Sequence, residues 1–155
     1  MNVRLLVILS AVALVSAACG TATAQPPTPA GANTVELTEW RVVVPSSAPQ
    51  AGSLTFVVKN TGSIAHDLTI LKTDLPAEKI PQANGKASED GKVAGTAVLN
   101  PGQSVNLTVT LAAGNYVFIC NELGHYALGM HTAVRVDEAA RERLSRGLVL
   151  HALQR

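Results

Sequence analysis

The chain has 155 residues, 47% hydrophobic and 15% charged, with 12 Lys and Arg against 11 Asp and Glu. Once the ends are trimmed, about one hundred residues remain, enough for one packed core but not for a catalytic domain plus a regulatory one. The near-neutral balance, with no basic run, excludes nucleic acid as the main partner, because phosphate binding depends on clustered Lys and Arg.

Residues 1–24 place Arg4 ahead of an apolar run from Leu5 to Val15 and read as an export signal. The run is shorter than the roughly 20 residues a bilayer-spanning helix requires. Two processing patterns overlap here. Ser16-Ala17-Ala18-Cys19 resembles a bacterial lipobox, with cleavage before Cys19 and a lipid on that residue, whereas Ala22-Thr23-Ala24 before Gln25 is a competing small-x-small site. Either cleavage removes Arg4 and leaves 11 cationic against 11 acidic side chains, so long-range steering toward a partner is weak. The mature protein is expected outside the cytoplasm, in the periplasm or on the outer face of the cell membrane. A lipid anchor on Cys19 is its one expected route to a membrane.

Residues 25–32, with Pro26, Pro27 and Pro29, read as a flexible linker. From Asn33 the pattern turns to short runs of period two. Strands are expected at Thr34–Val44, Leu54–Lys59, Ile64–Leu71, Thr96–Leu99, Ser104–Leu111, Tyr116–Cys120 and His131–Val136, separated by turn residues such as Asn60-Thr61-Gly62 and Asn100-Pro101-Gly102. Lys72 to Gly95 is polar and broken by Pro76, Pro81, Gly85 and Gly91, which suggests a flap with one short helical turn. About seven short strands at this spacing indicate an all-β domain over residues 33–136, an antiparallel β-sandwich. Residues 137–155 change to helix-forming composition, with Leu144 and Leu148 at helical spacing, and are expected to form a short C-terminal helix or tail.

The chemistry concentrates between the last two strands. Cys120, His125 and Met130 offer a thiol, an imidazole and a thioether with four residues between successive members. These are soft or borderline metal ligands with no carboxylate among them. Gly124 and Gly129 argue for a loop rather than a helix, and a loop can turn all three side chains toward one point. A trigonal copper site needs a second imidazole, and His66, in the strand-like run Ile64–Ile70, can supply it if loops gather at one end of the sandwich. Structural zinc prefers four cysteine and histidine ligands, and the Cys-x-x-Cys-His of haem attachment is absent.

An upstream histidine followed by Cys-x4-His-x4-Met resembles the cupredoxins, small blue copper proteins with a Greek-key β-sandwich, and the loop is similar in length to those of auracyanins and sulfocyanins. The resemblance spans about residues 33–136. It implies equatorial ligation of one copper ion by His66, Cys120 and His125, with Met130 as the weak axial ligand. It also implies a one-electron carrier between transient redox protein partners, not an enzyme. A copper-binding or delivery protein without an electron-transfer role is the alternative. A monomer is expected, and His131 and His151 fall outside the ligand pattern. Where many members place an asparagine after the first histidine, this chain has Asp67, which can accept backbone N–H bonds in the same place. An apolar patch of Gly124, Tyr126, Ala127 and Leu128 is expected around His125 as the route for electrons.

Overall fold

The structure, a computed structural model, describes residues 33–45, 47–139 and 142. The expected export segment with Cys19, the linker at 25–32, and His151 with nearly all of the expected C-terminal helix lie outside the described residues. Ten strands follow in chain order: β1 (Asn33–Thr38), β2 (Arg41–Val43), β3 (Gly52–Asn60), β4 (Thr69–Lys72), β5 (Gln82–Ala83), β6 (Lys86–Ala87), β7 (Lys92–Gly95), β8 (Ser104–Leu111), β9 (Gly114–Ile119) and β10 (His131–Val136). A single 3-10 turn occupies Ala77–Lys79. Among the described residues no helix is long and apolar enough to cross a membrane.

Two four-stranded sheets stack into a sandwich, with orders β2-β1-β3-β8 and β10-β9-β4-β7, and β5 with β6 forms a separate hairpin. The expected sandwich is therefore present, with one departure from uniform antiparallel pairing. β1 and β3 run parallel, in the register Val35 to Val58, because the chain turns back through the antiparallel β2 before β3 begins.

Inward side chains from both sheets build one core. Val35, Leu37, Phe56 and Val58 meet Leu68, Ile70, Tyr116, Phe118 and Val134, and the rings of Phe56 and Phe118 meet edge to face at 5.5 Å. Burying each such side chain contributes about 1.5–3 kcal/mol. The second sheet is also covered on its outer face, where Leu71, Val117 and Ile119 pack with Ala77, Ile80, Ala87 and Tyr126. That explains why Tyr116–Ile119 is an unbroken apolar run rather than an alternating one: the strand is buried on both sides.

Three segments differ from expectation. Thr34–Val44 is interrupted by a turn at Glu39 and Trp40, a break that no glycine or proline announces. Ile64–Leu71 yields a strand only from Thr69, because its first half spends its backbone groups elsewhere. The N–H groups of Ser63 and Ile64 donate to the Glu39 carboxylate, the Ile64 carbonyl accepts from the Asn60 side chain, and the Leu68 N–H donates to Thr96 Oγ1. Thr96–Leu99 is likewise not a strand, and keeps only the bridge between Leu99 and His66. The strand beside β4 is β7, inside the expected flap, which thus contributes an edge strand and a hairpin as well as its helical turn.

Candidate metal centre

The second sheet carries the site at one end. β9 delivers Cys120 one residue past its last strand position, β10 begins one residue after Met130, and β4 is entered through His66 and Asp67. Since β10, β9 and β4 are neighbours, residues 54 positions apart in sequence emerge side by side.

His66 Nδ1, His125 Nδ1 and Cys120 Sγ form a triangle with edges of 3.2 Å between the nitrogens, 3.4 Å from sulfur to His125 and 3.7 Å from sulfur to His66. The circle through these atoms has a radius of about 2.0 Å, close to the 2.0–2.1 Å of zinc–imidazole and about 2.3 Å of zinc–thiolate bonds, so three donors face a space of ionic size. His66 and Cys120 are fully buried and His125 is partly exposed. Among the described residues the cluster consists of these three. Met130 is fully buried beside them: its carbonyl accepts the Cys120 N–H at 3.0 Å, and its own N–H donates to the His125 carbonyl at 3.1 Å. The donor set of two imidazoles, a thiol and a neighbouring thioether suits a soft or borderline ion such as copper. The four residues named from the sequence are thus brought together. His131 is not among them and stacks on Tyr126 with ring centroids 5.0 Å apart.

Burial dominates the protonation chemistry. It pushes the Cys120 thiol up to about 12, against the opposing pull of the Asp67 and Glu122 backbone N–H groups. Burial, followed by the charge of His125, holds His66 below its ordinary value, while Glu39 pulls it upward. Glu39 itself is lowered to about 2 by backbone hydrogen bonds, its own N–H first and then that of Ser63. A metal entering this site must displace the thiol proton.

The loop is held from outside. Asn121 is buried, and its side chain accepts the Ala87 N–H at 2.8 Å while donating to the Ala87 carbonyl and to Glu89 Oε1. The β5–β6 hairpin turns through Asn84 and Gly85, both with positive φ, the conformation a two-residue type I′ turn requires. The Gly85 carbonyl accepts the Gly124 N–H at 2.8 Å, so the hairpin clasps the ligand loop. Tyr126 does not join the expected surface patch: it is buried, donating its hydroxyl to the Ala77 carbonyl and accepting the Ile80 N–H. Leu123 and Leu128 are exposed instead, and the half-exposed Trp40 sets its ring edge-on to His125 at 5.3 Å. Sequence reasoning misses Trp40 and Glu39 because they lie in what reads as a continuous strand. It also misses the hairpin, although the Asn84-Gly85 dipeptide announces it.

The sequence profile of the copper binding proteins of the plastocyanin/azurin type matches residues 45–137. This chain belongs to that family, the cupredoxins, whose metal is copper and whose members as a class carry electrons. Auracyanin B superposes with a TM-score of 0.53 at 24% identity, covering 71% of this chain and 91% of that one. Auracyanin A of Chloroflexus aurantiacus, described as a "blue" copper protein, gives 0.50 at 23% identity over 67% and 98%. A rusticyanin variant gives 0.50 at 22% identity over 67% and 76%. At these identities the likeness is one of fold. The search of curated proteins finds no match.

Proposed function

We propose that His66 and His125 through Nδ1, Cys120 through its thiolate and Met130 through its thioether hold one copper ion, and that the protein is an exported one-electron carrier. The observation that supports this most is the closed triangle of two Nδ1 atoms and one Sγ, formed by side chains from two separate segments, His66 before β4 and Cys120 with His125 between β9 and β10. Copper held by these residues would supply a one-electron redox couple. The chain's own part is to keep the donors still, so that neither oxidation state requires rearrangement. Asp67, Asn121 and the clasping hairpin do this by tying both ligand segments to the sheet. With four side chains engaged, no position is left for a substrate, which favours a carrier over an enzyme. His125, with Leu123, Ala127, Leu128 and Trp40 around it, is the proposed port for electrons, and an apolar patch of this kind suits brief docking with redox proteins.

The test is to add copper(II) to the purified chain and record its visible spectrum. An intense thiolate-to-copper band at about 600 nm is expected, absent in Cys120→Ala, bleached by a reductant and restored by an oxidant. A colourless complex would overturn the ligand set. A blue complex that releases its ion on reduction would favour copper delivery instead.

A further inference from the structure

We propose that Glu39 is a positioning residue for the copper site, a fixed negative charge behind His66 that orients its imidazole and lowers the reduction potential of the bound ion. The inference rests on the ligand reading above. It begins with His66 Nε2, which is buried and has no hydrogen-bond partner among the described residues. The group facing it is Glu39 Oε1, 3.6 Å away. If Nδ1 binds metal, the ring proton must sit on Nε2. A buried N–H needs an acceptor, and Glu39 is the one in place.

The carboxylate is held there by more than His66. Oε1 accepts the Ser63 N–H at 2.6 Å, the Ile64 N–H at 3.1 Å and the Ser63 hydroxyl at 3.2 Å, and Thr38 Oγ1 donates to Oε2 at 3.4 Å. Gly62 packs so closely that a Cβ there would lie 2.5 Å from Oε1, so the missing side chain at Gly62 is what leaves room for the carboxylate. Among the described residues the carboxylate pairs with no Lys or Arg. Its charge is therefore not cancelled locally, and it stabilises the more positive ion through the imidazole it faces.

The experiment compares the reduction potentials of the copper-loaded full chain, Glu39→Gln and a control, Glu36→Gln, which removes an exposed charge from β1, the strand just before Glu39. Glutamine keeps an oxygen for Ser63 and Ile64 but carries no charge. The expected result is a retained blue band with the preference for copper(II) over copper(I) weakened about tenfold, a rise of about 59 mV for a one-electron couple, and little change in Glu36→Gln. A Glu39→Gln potential no different from that of Glu36→Gln would overturn the proposal. If Glu39→Gln does not fold, Gly62→Ala decides: by displacing the carboxylate it should raise the potential in the same direction, and an unchanged potential would count as refutation. Absence of a blue band in the unmodified chain would instead overturn the ligand reading, so the two failures are distinguishable.

Discussion

Asp67 and Asn121 lock the two ligand segments together: Asp67 Oδ1 accepts the Asn121 N–H at 2.6 Å, while the N–H of Asp67 lies 3.4 Å from Cys120 Sγ. One residue thus ties its neighbour His66 to the Cys120 loop from both its backbone and its side chain. An aspartate serves here because the task is to accept N–H bonds, and a carboxylate accepts them at least as strongly as an amide oxygen.

Replacing Asp67 by Ala should therefore lower the stability of the copper-free protein by about 1.5–3 kcal/mol, the range for a hydrogen bond to a charged group. Asp67→Asn, which keeps an acceptor, should lose less. Urea unfolding of the three proteins checks this, and equal losses in both variants would show that the tie depends on charge rather than on the acceptor.

Met130→Leu should keep the blue band, since the thiolate and both imidazoles remain, but raise the reduction potential because the axial donor tunes it. Leu conserves volume in this fully buried position, so the stability cost should stay below about 1.5 kcal/mol. Voltammetry together with thermal unfolding tests both halves. A potential unchanged from that of the parent would remove Met130 from the ligand set.

At the surface, Leu128 is 56% exposed, and Leu128→Glu should alter stability by no more than about 0.5 kcal/mol. It should nevertheless slow electron self-exchange between oxidised and reduced copies, because two like charges then meet where two apolar patches would. A decrease of about tenfold, equivalent to 1.4 kcal/mol, partly recovered in high salt, is expected from NMR line broadening. Unaltered exchange would place the port elsewhere.

Glu89 gives a pH signature away from the ligands. Its carboxyl is held below its ordinary value of 4.5 by the side-chain hydrogen bond from Lys92 and then by that from Asn121. A depressed carboxyl stabilises the fold above its unfolded value and loses that contribution as pH falls through the folded value. Because the side chain is substantially exposed, the effect should be under about 1 kcal/mol. The copper-free protein should exceed Glu89→Gln in stability at pH 7, with the gap closing as the pH falls below the ordinary value of 4.5. A gap that widened in acid would contradict the assignment.

What the sequence reveals follows from where each interaction is encoded. Cys120, His125 and Met130 are legible because one short loop carries them, and a chain with so few soft donors leaves little choice of partners. Phe56, Ile70 and Phe118 are legible as core because apolar runs between turn residues mark buried strands. Glu39 is not, since its role depends on meeting Ser63 and Ile64 from a turn that looks like strand. His66 is read as lying in a strand, yet its segment is diverted by hydrogen bonds to the side chains of Glu39, Asn60 and Thr96, which no local propensity reports. The hairpin at Asn84-Gly85 is the opposite case. Its signal is local, but Pro76, Pro81 and Gly91 around it make the stretch look irregular.

The parallel pairing of β1 with β3 also fixes which way the molecule faces. Along six residues, at about 3.3 Å each, β1 climbs roughly 20 Å toward the redox centre and ends at the Glu39–Trp40 turn that touches both imidazoles. Asn33 therefore stands at the end of β1 remote from His125. The first described residue and the metal centre thus occupy opposite ends of one strand, so a probe or support coupled at Asn33 should leave the His125 face uncovered.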